Sequence, residues 1–264
     1  MSKPVPALQT LPVELLYEIQ SHALSESFPY ACRHLYLVFK AAPPSVRAHY
    51  LIQRYLLNTT TSTLAQGPIT KALRFPICTQ DVLQRMLELP DCPPIRSAQP
   101  ELPRRLFRSL APPTCDKNGR PSTEWTEHDH PLPFLRYLYK HPTIPAPNPD
   151  SYDGYALTKA VYAGFVPLAR FLLEHGASPA CKNGLAAIIA IRRKDLALLK
   201  MLVEREDALR SGKTAKRRKL EDRMRTTPEM LKTAVKCDAR DIVQYLTEKG
   251  CVPDMQTLKL LSRG

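Results

Sequence analysis

One slot pattern recurs three times in the C-terminal half of this 264-residue chain, and it limits what the chain can fold into. The segment Gly154–Gly164 (GYALTKAVYAG) leads into Phe165–Ser178 (FVPLARFLLEHGAS). Asn183–Glu204 (NGLAAIIAIRRKDLALLKMLVE) and Met230–Gly250 (MLKTAVKCDARDIVQYLTEKG) repeat its order of small and apolar positions. Ala160, Ala190 and Ala234 share one slot, and Leu172, Leu202 and Leu246 share another. An alanine there lets the neighbouring unit approach, while the leucines fill a core held in common. A unit of this size cannot bury its apolar face alone, so several must stack.

Weaker echoes precede these copies. Ile69–Leu73 followed by Val82–Glu88 resembles the first copy with two extra residues between its halves. Arg104–Leu110 with Phe134–His141 forms a further degenerate candidate. Fourteen prolines between Pro90 and Pro149 set this stretch in irregular structure, because proline removes a backbone donor and fixes φ.

The first 57 residues carry a different pattern. Thr10 stands before Leu11 and Pro12, with Glu14 close behind, a helix start with proline in the first turn. Leu15, Leu16, Ile19 and Ala23 then follow a helical period. A second stripe covers Ala31, Cys32, Leu35 and Phe39 and ends at Pro43 and Pro44. A third runs from Val46 through Tyr50 and Leu51 toward Leu57. The expected fold class is all-α. It comprises a three-helix bundle over 1–57, a polar linker over 58–65 and a helical solenoid over 66–264. The solenoid carries a proline-rich insertion (90–149) and a basic one (205–227).

Composition narrows the function classes. The longest apolar run, Leu185–Ile191, is far below the ~20 residues a membrane span needs, and the N-terminal residues lack the apolar core of a secretion signal. A soluble intracellular protein with no membrane partner is expected. With nine glycines and no phosphate-loop or dinucleotide fingerprint, no cofactor is expected. The seven cysteines contain no C-x-x-C pair, so reduced thiols are expected rather than a disulfide framework.

Candidate chemistry is sparse. His128, Asp129 and His130, with Cys115 upstream, are the densest group of metal-ligating types, but they sit in a polar proline-rich stretch without a second cysteine pair, and no metal is expected. Cys32 and His34 are two residues apart, a spacing that does not face one another on a helix. Cys181 and Cys237 read as small packing residues. No constellation points to an enzyme.

The charge is more informative. The chain carries a net +13, and Arg205–Arg225 holds nine basic against four acidic residues. Lys213 with Lys216, Arg217, Arg218 and Lys219 matches a nuclear localisation signal, read by an import receptor, and also fits a solvated basic insertion with no receptor. No aromatic residues interleave with these charges, so nucleic acid is not the expected partner.

Two resemblances give these patterns names. Residues 153–178 resemble an ankyrin repeat: Tyr155–Thr158 takes the T-P-L-H slot, and Gly164, Leu172, Leu173, Gly176 and Ala177 stand in their family places. The Thr-Pro bracket is lost, which marks degenerate repeats. Leu11–Ile19 (LPVELLYEI) followed by Tyr30–Leu35 (YACRHL) resembles an F-box; the bundle also fits an ordinary cap on a solenoid. The F-box resemblance implies docking of the Skp-type adaptor of a cullin–RING ubiquitin ligase through Leu11, Pro12, Leu15, Leu16 and Ile19, with the repeats recruiting a protein substrate. The ankyrin resemblance implies partner contacts at Tyr152 and Lys182 on repeat tips and at Lys159, Tyr162, Arg192, Arg193 and Lys236 on outward first-helix slots. The expectation is a non-catalytic substrate receptor, nuclear or nucleocytoplasmic; the alternative is a repeat scaffold with no ligase connection.

Overall fold

The computed structural model describes residues 8–57, 67–95, 99–112, 125–205 and 222–261. Among the described residues there are fourteen α-helices, two short 3₁₀ turns and no strand, so the all-α expectation holds. Two compact units emerge from the packing. The first comprises Met1–Pro103 with Phe134–Pro147, and the second Arg104–Pro133 with Asn148–Gly264.

The first unit is built from α1 (Val13–Ala23), α2 (Arg33–Lys40), α3 (Pro44–Leu57), α4 (Pro68–Arg74) and α5 (Gln80–Glu88). α1 starts one step later than the sequence suggests. Leu8–Thr10 form a 3₁₀ turn, and Pro12 is itself the N-cap, followed by Glu14 in the first turn, where the helix dipole favours a carboxylate. α2 also starts later: Cys32 is its extended N-cap (φ −155°), and Leu35 is the buried residue of its stripe. α3 contributes Ala48, Leu51 and Ile52 to the core and packs on α1, α4 and α5. The bundle therefore continues into the first echo of the repeat pattern, where Ile69, Leu73, Val82 and Leu83 are at most 1% exposed. Residues 58–65 lie outside the described residues, and the first compact unit runs on through Pro103.

The second degenerate candidate does not stay together. α6 (Arg105–Arg108) groups with the second unit and packs on the helix over 151–163. α7 (Leu132–Lys140) delivers Leu135 and Leu138, both fully buried, to the first unit. A four-residue helix has too few turns to show a period, so sequence alone could not tell which face it buries or against what.

The second unit holds the strong copies, each folded as a helix pair. They are α8 (Ser151–Ala163) with α9 (Val166–Glu174), α10 (Cys181–Arg192) with α11 (Leu196–Val203), and α12 (Pro228–Lys236) with α13 (Arg240–Glu248). α14 (Met255–Leu261) follows. The first helices contact in succession, α8 on α10, α10 on α12 and α12 on α14, while α9 contacts α11. Ala160, Ala190 and Ala234 are 0% exposed, as are Leu172, Leu202 and Leu246. Both slots do what the pattern requires.

Backbone hydrogen bonds repeat with the same register. Each first helix ends in a Schellman-type turn: Phe165 N–H donates to Ala160 O (2.9 Å), Asp195 N–H to Ala190 O (3.1 Å) and Ala239 N–H to Ala234 O (3.1 Å). The residue before each donor is left-handed, and it is Gly164 in the first copy (φ 72°), Lys194 in the second (φ 56°) and Asp238 in the third (φ 50°). Only the first is the residue type such a turn favours. Substituting Lys194→Gly or Asp238→Gly removes the Cβ penalty while costing some chain entropy. Each is expected to raise stability by about 0.5–1 kcal/mol, read from the denaturant midpoint of the whole chain. An unchanged or lower midpoint for both would show that these turns are not strained.

Candidate functional site

Of the predicted adaptor-contact residues, Leu15, Leu16 and Ile19 lie on α1, Pro12 is its N-cap and Leu11 precedes it. Pro12 and Leu15 are open, Leu15 to 44%, and Leu11 and Ile19 are half-buried. Leu16 is 0% exposed. A helix advances about 100° per residue, so adjacent leucines face different ways, and Leu16 anchors the helix rather than meeting a partner. The neighbouring Leu8 and Val13 add exposed apolar surface on the same segment.

The first unit also contains an aromatic groove of ≈ 400 Å³, lined among others by Tyr30, Tyr36, Phe39, Tyr50 and Phe75. Phe28 meets Phe39 edge-on at 5.5 Å, and Tyr30 lies 6.1 Å from Tyr36. Gln20, 6% exposed, donates through Nε2 to Ser25 O (2.8 Å), leaving its Oε1 without a partner among the described residues. Sequence reasoning missed this groove, because it forms where separated segments meet.

In the second unit, the predicted partner residues fall into three groups. Lys159 and Tyr162 lie on one face of α8, and Tyr152 stands in the left-handed turn at its start. Lys159 lies over the Tyr162 ring (5.0 Å to the centroid) and reaches Leu110 O at 3.4 Å. Arg192 and Lys236, both exposed, line a groove with Lys232, Thr233, Cys237 and Asp254. Lys182 stands apart at the start of α10, in the left-handed turn Lys182-Asn183-Gly184 that matches Tyr152-Asp153-Gly154 thirty residues earlier. Arg193 has structural work: its Nη1 donates to Tyr162 O at 2.9 Å at the end of α8, where helix carbonyls lack partners.

The second matching turn explains a tight approach. A Cβ on Gly154 would sit 2.8 Å from the Cys181 Cβ, so only glycine lets these turns nest. Beside it, Asp150 Oδ1 accepts from Ser178 N–H at 2.8 Å, tying one turn to the next. Cys181 is therefore a packing residue, as its type and slot suggested.

The localisation candidates Lys213, Lys216, Arg217, Arg218 and Lys219 lie outside the described residues, as does Cys115. The two ends of the basic insertion are described, and they are held together. Arg223 N–H donates to Val203 O at 2.7 Å, and Lys249 bridges Glu204 and Asp222, each at 3.1 Å. Arg223 also donates to Leu173 O at 3.0 Å and to Glu204 O at 3.1 Å. Near α7, the Asp129 carboxylate accepts from Thr126 N–H at 2.6 Å and Thr126 Oγ1 at 2.9 Å, which holds its pKa below the usual range. Among the described residues, no group of three or more His, Cys, Asp or Glu side chains is placed to hold a metal ion.

The ionic clasp at the insertion has a pH signature. Burial, then the Glu204 carboxylate that accepts its hydroxyl at 3.1 Å, pushes the Tyr245 phenol well above its ordinary value. Burial pulls Lys249 down, but hydrogen bonds to Asp222 and Glu204 outweigh it and raise the ammonium. Groups raised on folding stabilise fully below their unfolded values, and that contribution disappears as pH climbs through the folded ones. Stability is therefore expected to fall above about pH 10, where free Tyr and Lys titrate. Tyr245→Phe is expected to show a shallower fall than wild type in melts between pH 8 and 11. Parallel curves would remove the clasp from the account.

Comparison with protein-family models, curated proteins and solved structures returned no match.

Proposed function

We propose that this chain is a non-catalytic substrate receptor of a cullin–RING (SCF-type) ubiquitin ligase, its N-terminal segment docking the Skp-type adaptor and its repeats holding a protein substrate. The observation that carries the reading is the distribution of exposed large apolar side chains. Among the described residues, eight of the twelve fall between Leu8 and Leu57: Leu8, Val13, Leu15, Tyr30, Tyr36, Leu37, Leu56 and Leu57. Exposed apolar side chains concentrated in one region of a chain favour an interaction role for it. It coincides with the stretch that resembles an F-box. The helix pairs of the second unit resemble ankyrin repeats in sequence and stack in register, as a surface for an extended partner requires. Acting as a receptor needs no catalytic group. Holding a substrate beside a charged conjugating enzyme raises the effective concentration of its lysines.

Leu15→Asp places a charge on the exposed face of α1, away from the core. Capture of a Skp-type adaptor by the full chain is expected to drop by on the order of tenfold or more, with the melting temperature unchanged. Leu16→Ala, by contrast, is expected to cost about 2–5 kcal/mol of stability. A folded wild-type chain that captures no adaptor would end the ligase reading and leave the scaffold one.

Location belongs to the same proposal, with Lys213 and Lys216–Lys219 read by an import receptor. Because Val203 and Arg223 are joined across the base of the insertion, replacing 206–221 by a short Gly-Ser linker is expected to leave the melting temperature nearly unchanged. A fluorescent fusion of that variant is expected to lose nuclear accumulation. Retained accumulation would overturn the assignment.

A further inference from the structure

α6 packs on α8 and brings a further basic residue, Arg104, against its tyrosines. Tyr155, Lys159 and Tyr162 follow a helical spacing on α8, Tyr152 stands in the left-handed turn at its start, and Arg104, the N-cap of α6, lies over Tyr152 and Tyr155. Its guanidinium carbon is 4.9 Å from the Tyr152 ring centroid and 5.4 Å from that of Tyr155. Arg108 follows four residues later and is exposed, as is Arg104. Among the described residues, Arg104, Arg108 and Lys159 form no ion pair. The carboxylates of α6, α8 and their N-caps are Asp153 and Asp150, the latter accepting from Ser178 N–H.

We infer that Arg104, backed by Tyr152 and Tyr155, and Arg108, one helical turn further along α6, bind a phosphorylated segment of a partner protein. The inference rests on the reading of the repeats as the substrate-holding part and names the substrate's chemistry. A guanidinium uses its flat faces against aromatic rings and keeps its N–H donors in the plane, where they pair two at a time with phosphate oxygens. The two tyrosines hold the Arg104 guanidinium in place, so less side-chain freedom is lost when an anion arrives. A phosphomonoester brings about −1.5 to −2 charges and three acceptor oxygens, enough for two arginines.

Basic and aromatic side chains on one face also describe single-stranded nucleic-acid sites, and the geometry separates the two cases. Base stacking needs open ring faces. Here Arg104 covers Tyr152 and Tyr155, and Lys159 covers Tyr162, so the surface offers positive charge in place of stacking platforms.

The test uses the immobilised full-length chain and a pool of short random peptides with a central phosphoserine or phosphothreonine. Retention is expected to need the phosphate, so the phosphatase-treated pool and a pool with aspartate at the central position should be held far more weakly. Arg104→Ala and Arg108→Ala are each expected to cut retention by on the order of tenfold, and Arg104→Lys should not restore it, because an ammonium lacks the planar fork. Both arginines are exposed, so melting temperatures should hold; if one variant fails to fold, the other carries the test. Adaptor capture should be unchanged in both, which separates failure of this site from failure of the ligase reading. Equal retention after phosphatase treatment, equal retention of the aspartate pool, wild-type retention by both alanine variants, or tighter binding of an oligouridine would each overturn the assignment.

Discussion

The second unit depends on how closely its first helices approach one another. Ala160, Ala190 and Ala234 sit at the contacts between α8, α10 and α12 with no exposed surface, and a larger side chain in any of them would push two neighbours apart. Overpacking of this kind costs about 1–3 kcal/mol, a large part of what a domain has to spare. The nested turns impose the same limit at the other end of the helices, where Gly154 meets Cys181. Once these approaches are made, the leucines at 172, 202 and 246 are enclosed, and their burial supplies the bulk of the favourable term.

Regular backbone geometry persists where the sequence has drifted. The left-handed turn after each first helix is kept with glycine, lysine or aspartate in it, because the hydrogen bond back to the alanine slot closes the helix end in all three copies. Arginines take over part of the end-capping. Arg193 serves the end of α8, and Arg223 serves carbonyls at the ends of α9 and α11. Charge-assisted bonds of this kind are stronger than neutral ones.

The large positive charge consequently divides by task. Arg193, Arg223 and Lys249 are spent within the fold, on helix ends and on the clasp around Glu204 and Asp222. Arg104, Arg108, Arg192 and Lys236 stay exposed on first-helix and α6 surfaces. Net charge alone would suggest a general affinity for polyanions. The positions of these side chains argue instead for a local site with directional donors, beside rings that already carry a cation. Apolar exposure is distributed the other way and concentrates in residues 8–57. Among the described residues, the two compact units thus expose different kinds of surface.

Much of this was legible in the sequence for a simple reason. Helical periodicity reports which face of a segment is apolar, and a recurring slot reports that neighbours must match. The all-helical class, the three helix pairs, the buried alanines and leucines and the packing role of Cys181 all follow from those two rules. Other features needed contacts between residues far apart in the chain. Leu15 and Leu16 are equally apolar, and only the packing of α1 on α3 decides that one faces out and the other in. The unit boundary at Pro103, the separation of α6 from α7, and the placing of Arg104 over Tyr152 and Tyr155 were likewise set by tertiary structure. A proline-rich stretch and a single-turn helix carry no period, so nothing local specifies which side chains they deliver or where.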